Sequence, residues 1–201
     1  SITIPDYIEE IGVYAFFNCK DLTSVTIPNS VKLIGANAFA GCISLTNIKI
    51  PDSVTEIRSY AFQGCTSLKS IQFSSDLEYI AEGLFESCNS LTNIDIPNSA
   101  ATIRHGAFWG CESLTNVEIP SSVTNIGTSA FRDCISLKNI VIPDSVTSIG
   151  ESAFKGCHNL ATIYISDSLK EIGEDAFYNC TKLQKIFIPN SVTTIEKYAF
   201  A

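Results

Sequence analysis

Cysteine occurs at positions 19, 42, 65, 88, 111, 134, 157 and 180, so each follows the previous one by 23 residues. One interval shared by every cysteine makes the chain a short unit copied end to end, and all else has to be read within that unit. Leucine keeps the same beat from Leu22 to Leu183, phenylalanine from Phe16 to Phe200 and isoleucine from Ile11 to Ile195. With leucine as column 1, the unit reads LTxIxIPxSVTxIGxxAFxGCxS. Seven full copies fill 22–182, partial copies fill 1–21 and 183–201, and the whole of 1–201 reads as a single repeat domain.

Each unit has three parts. Val25-Thr26-Ile27 alternates apolar and polar, the period of a half-buried strand. Proline follows in the next column, which holds all seven prolines of the chain and departs from proline only at Ser74 and Ser166. Proline lacks a ladder donor, so this column ends the strand at the same point in every unit. A turn at Asn29-Ser30 leads to a second short extended run, Val31-Lys32-Leu33-Ile34, whose Val and Ile should point inward. The Ala38-Phe39-x-x-Cys42 segment then places its apolar residues as on one face of a single helical or 3₁₀ turn.

A coil this short cannot bury its own apolar face, but stacked coils can. Leucine, isoleucine, phenylalanine and cysteine columns then become internal ladders of a quasi-one-dimensional solenoid, roughly 40 Å long at the usual strand spacing of about 4.8 Å. The open ends would leave Ile2, Ile4, Ile8 and Ile11 facing solvent on one side and Ile186, Ile188, Val192 and Ile195 on the other. That predicts either a piece of a longer protein or end-to-end self-association.

The LTSVTI segment at 22–27 resembles the LxxLxL strand of a leucine-rich repeat, and the AF…C pattern resembles the BspA-like subgroup, over the whole chain. The resemblance implies an α/β repeat solenoid: a right-handed curved superhelix with a parallel sheet on its concave face. It also implies an extracellular or cell-surface setting and adhesion to host matrix proteins or other cells. The column where the family usually has Asn or Cys holds Ser30, Ser53, Ser122 and Ser145.

Composition excludes several other classes. The net charge of −8 opposes nucleic acid, which demands clustered Lys and Arg, and no apolar run reaches the length of a membrane span. One cysteine per coil, in the same inward column beside phenylalanine, reads as a ladder of buried thiols rather than paired disulfides. No CxxC motif is present, so neither metal nor cofactor is expected. His105 and His158 lie two coils apart on different parts of the perimeter. Cys157 should point inward and His158 outward, and no acid–base pair or nucleophile points to an enzyme. Asn179-Cys180-Thr181 fits a glycosylation sequon, but its middle residue belongs to the buried column.

Function in a repeat protein resides in the columns that vary. Column 5, the strand residue facing the concave surface, reads Thr3, Thr26, Lys49, Gln72, Asp95, Glu118, Val141, Tyr164 and Phe187. Asp95 and Glu118 form an acidic pair on neighbouring strands, and the last three form an apolar row, bordered in column 3 by Asn139, Thr162 and Lys185. Contiguous exposed apolar residues, aromatics above all, point to a protein partner. A second variable column carries Phe17, Trp109 and Tyr178, too far apart for one patch and expected to be partly packed. The alternative to an interaction module is a structural spacer that projects another domain, which the uniformity of most columns favours.

Overall fold

The computed structural model describes residues 1–201 as a solenoid of parallel strands in which each coil lies against the next. One row of strands occupies columns 3 to 5: Ile2–Thr3, Val25–Thr26, Asn47–Lys49, Ser70–Gln72, Asn93–Asp95, Asn116–Glu118, Asn139–Val141 and Thr162–Tyr164. A second row of two-residue strands runs from Glu10–Ile11 to Thr194–Ile195. Pairing is parallel and keeps the repeat register, with Ile48 opposite Ile71 and Ile103 opposite Ile126. Because strand side chains alternate, Ile94, Val117, Ile140 and Ile163 turn inward between outward neighbours.

Both rows break beside the coil that begins at Leu68. The first row has no ladder between Ser70–Gln72 and Asn93–Asp95, nor, further towards the first coils, between Val25–Thr26 and Asn47–Lys49, and the second has none between Glu56–Ile57 and Tyr79–Ile80. This coil has Phe73 where the others have a smaller aliphatic, and its ring packs edge-on against Phe85 at 5.7 Å. It also has Ser74 in place of proline. The buried Ser74 hydroxyl donates to the Asp52 carbonyl and accepts the Asp76 amide, a side-chain turn of its own. In the proline-bearing coils the proline carbonyl closes the turn, as where Val31 N–H donates to Pro28 O at 3.2 Å, and at Ser166 the serine carbonyl does so, accepting from Leu169 N–H. The serine column two residues on serves the stack: Ser53, Ser99 and Ser122 each donate to the preceding coil, to the carbonyls of Val31, Leu77 and Ala100.

The Ala-Phe-x-x-Cys segment forms no helix or 3₁₀ turn, contrary to the expectation from spacing. Columns 16 and 20 hold left-handed residues in every coil that contains them, for example Asn37 (φ 54°) and Gly41 (φ 74°), or Ser129 (φ 54°) and Asp133 (φ 57°). Two left-handed residues four apart break a helix and replace it with linked turns. Ala38, Ala40 and Cys42 then donate within their own coil, while Asn37, Phe39 and Gly41 donate to Ser59, Ala61 and Gln63 of the next. A helix would spend all these amides internally and leave the next coil's buried carbonyls without donors.

The core is a set of columns. Phenylalanine rings stack from Phe16 to Phe200 with centroids 5.1–5.8 Å apart and interplanar angles of 12° or less. All eight cysteines are free, and all but Cys19 are buried. Each phenylalanine carbonyl from Phe16 to Phe154 accepts an S–H from the next coil, as where Cys65 Sγ lies 3.2 Å from Phe39 O. The same carbonyl takes the Cys42 amide at 3.1 Å, so the thiol is a small apolar filler that also donates across the coil gap.

At the ends, Ile4 and Ile11 are buried, not solvent-facing as expected, because the walls of their own coil and one neighbour suffice to cover them. Ile2 and Ile195 are exposed, and Ile8, Ile186, Ile188 and Val192 are half-buried. Gly150 shows how closely interior coils approach: a Cβ there would lie 2.7 Å from the Gly127 carbonyl carbon and Thr128 nitrogen, whereas one on Gly12 meets nothing within 4 Å. Gly150→Ala should therefore destabilise by about 1–3 kcal/mol. Gly12→Ala should be neutral or stabilise by up to about 1 kcal/mol. Urea unfolding of the two variants checks this, and equal losses would mean that the close approach is unimportant.

Candidate interaction face

Column 5 stands outward along the sheet because columns 4 and 6 are drawn into the core. Val141 and Tyr164 are direct register partners on Asn139–Val141 and Thr162–Tyr164, and both are well exposed. Phe187 follows in the same column at 77% exposure, outside the ladder, which stops at Tyr164. In the border column, Asn139 is opposite Thr162; Asn139 and Lys185 are exposed and Thr162 is half-buried. Asn139, Val141, Thr162 and Tyr164 thus lie on paired strands, and Lys185 and Phe187 continue the same two columns in the next coil.

That face changes character along its length. Asp95 and Glu118 are register partners, both exposed, and neither takes part in an ion pair. Towards the first coils, the broken ladder between Ser70–Gln72 and Asn93–Asp95 leaves an open groove with Asp95, Asp52, Gln72, Ser74, Ser75 and Asn98 along it. The groove is the feature that sequence spacing missed. Its signal was the pair Phe73-Ser74, where the neighbouring isoleucine and proline columns both change.

Other candidates separate in space. Cys157 is fully buried and donates to Phe131 O, whereas exposed His158 sets Nδ1 3.0 Å from the Asn179 carbonyl, so thiol and imidazole face different ways. The outer aromatics are partly packed. Arg132 lies over Trp109 at 4.8 Å, Trp109 Nε1 donates to Asp133 Oδ2 at 3.1 Å, and Lys155 lies over Tyr178 at 4.6 Å while pairing with Asp175. No group of three or more His, Cys, Asp or Glu side chains converges, and no helix is long and apolar enough to cross a membrane.

The model of the BspA type leucine rich repeat region matches residues 1–115 and 101–201, in six copies. The chain belongs to the BspA-type leucine-rich repeat family. Among solved structures, this BspA-type chain is similar to a leucine-rich repeat protein from Bacteroides ovatus (30% identity, TM-score 0.73), which covers 96% of the chain. The chain spans 65% of that protein's own length. It is similar to the leucine-rich repeat protein of T. pallidum at 32% identity and TM-score 0.62, over 90% of the chain and 76% of that protein. It is also similar to a leucine-rich cell surface protein from Faecalibacterium prausnitzii at 28% identity and TM-score 0.53, over 100% of the chain and 78% of that protein. No curated protein matches the chain. A BspA-type repeat is a scaffold of the protein-interaction kind.

Proposed function

We propose that this BspA-type protein is a surface-exposed or secreted adhesion module that binds a host matrix protein or a protein of another cell through its concave face. The observation that carries the reading is the contiguous exposed row Val141, Tyr164 and Phe187 on a face that is otherwise polar. Aromatic side chains held on a rigid sheet bury much area at little entropic cost, which suits an anchor. The similarity to a leucine-rich cell surface protein supports the setting. Uniform outer columns favour a second reading, a spacer that projects another domain.

Binding to a panel of immobilised extracellular-matrix proteins separates the two. The parent should bind at least one of them. Replacing Val141, Tyr164 and Phe187 together by Ser should weaken that binding by about 100-fold or more while leaving the thermal transition in place, since these side chains contribute little to the core. Undiminished binding by the triple variant would remove the concave face from consideration. Silence of the parent on every surface would leave the spacer ahead.

A further inference from the structure

Taking the concave face as the docking surface, we propose that its occupant is an extended segment of the partner, laid across the strands, with a basic residue followed at every second position by an apolar one. Three features of the face lead to this. Asp95 and Glu118 sit directly opposite one another, an arrangement of like charges that destabilises a sheet unless a cation is supplied. The chain supplies none: its ion pairs are Arg58–Glu56, Arg132–Asp133 and Lys155–Asp175, and the column's own cation, Lys49, lies two strands from Asp95. The groove along Asp95 and Asp52 leaves room beside the acidic pair for a long side chain, with exposed Ser75 and Gln72 at its edge.

Spacing sets the pattern. Strands lie about 4.8 Å apart, so Val141 is about 7 Å from the midpoint of Asp95 and Glu118, and the midpoint of Tyr164 and Phe187 is about 14 Å from it. An extended chain repeats its same-side residues every 6.6–6.8 Å or so, which puts i, i+2 and i+4 at about 0, 7 and 13 Å. A helix advances about 1.5 Å per residue, so its i+4 and i+8 positions fall near 6 and 12 Å, short by more than 1 and then more than 2 Å. The extended segment therefore fits, with its basic end towards the groove and its apolar end towards Phe187. Asn139 and Thr162 along the border offer hydrogen bonds to its backbone.

Synthetic peptides test this by fluorescence anisotropy against the parent, a D95N/E118Q variant and a V141S/Y164S/F187S variant. The first peptide alternates serine with lysine, leucine and leucine. The second has glutamate in place of lysine, and the third spreads the same lysine and leucines at helical i, i+4 and i+8 spacing. The parent should bind the first about tenfold more tightly than the second, the order expected for two exposed charge contacts, and the margin should shrink in high salt. D95N/E118Q should erase the preference and keep the leucine-dependent affinity, while the serine triple should lose both. Equal affinity for lysine and glutamate peptides, a preference that survives D95N/E118Q, tighter binding of the helically spaced peptide, or no peptide binding by the parent would each overturn the proposal. In the matrix-protein assay, binding that survives the serine triple defeats the docking face itself. Binding lost in the triple but unchanged in D95N/E118Q defeats only the basic–apolar pattern.

Discussion

Phe108→Ala should lower the stability of the chain by about 3–5 kcal/mol, the range for removing a fully buried aromatic. Phe108 is completely buried, with Phe85 stacked on one side at 5.7 Å and Phe131 on the other at 5.1 Å, so its loss leaves a gap that two neighbours border and neither can fill. In a solenoid each coil is held by its neighbours, so a central lesion also weakens the coupling between the halves on either side of it. The urea transition should move to lower concentration and broaden. Phe16, at the end of the stack and only half-buried, provides the control: Phe16→Ala should cost less and leave the transition sharp. Equal effects at both positions would mean that the phenylalanine column is a row of independent contacts rather than a coupled stack.

Alkaline pH should destabilise the protein through its thiols. Burial holds the Cys88, Cys111, Cys134 and Cys157 thiols well above their ordinary value of 9.0 and pushes Cys65 and Cys180 up to about 12. The folded thiols thus stay protonated where the unfolded ones ionise. Below pH 9 both states hold the proton and stability does not depend on these groups. Above it, unfolding releases protons, and stability falls as pH rises towards the folded values, by up to about 1.4 kcal/mol per pH unit for each buried thiol. Melting temperatures measured from pH 7 to above pH 10 should drop with a steepening slope. Replacing Cys88, Cys111, Cys134 and Cys157 by Ala should flatten that slope even if it lowers the starting value. An unchanged slope would assign the alkaline transition to other groups.

The columns that build the core were legible because a period repeated without slippage identifies inward residues many times over. Ile48, Leu68, Phe85 and Cys111 need only their column to be placed, and all are buried. The turn segment was misread for an instructive reason. Ala, Phe and Cys at helical spacing describe which side chains go inward, but column 20 holds only Asn, Gly, Ser and Asp, the types that tolerate a left-handed backbone, and this decides the local conformation. The outward row at Val141 and Tyr164 followed from strand alternation alone. The groove beside Asp95 did not, since it depends on whether two neighbouring strands complete their ladder, which no single column records.

The alternating amides of the turn segment carry a further consequence. Phe39 N–H meets Ala61 O, Phe85 N–H meets Ala107 O and Phe131 N–H meets Ala153 O, always with the same offset along the chain. One coil's donors are therefore interchangeable with any other's, and a whole coil can be duplicated or deleted without orphaning a single buried amide. A lone inserted residue enjoys no such freedom within a coil, because it would slide every later donor in that coil past its acceptor. Such a scaffold changes length in steps of one coil, and its reach is a quantity that gene duplication can adjust while the stacking chemistry stays constant.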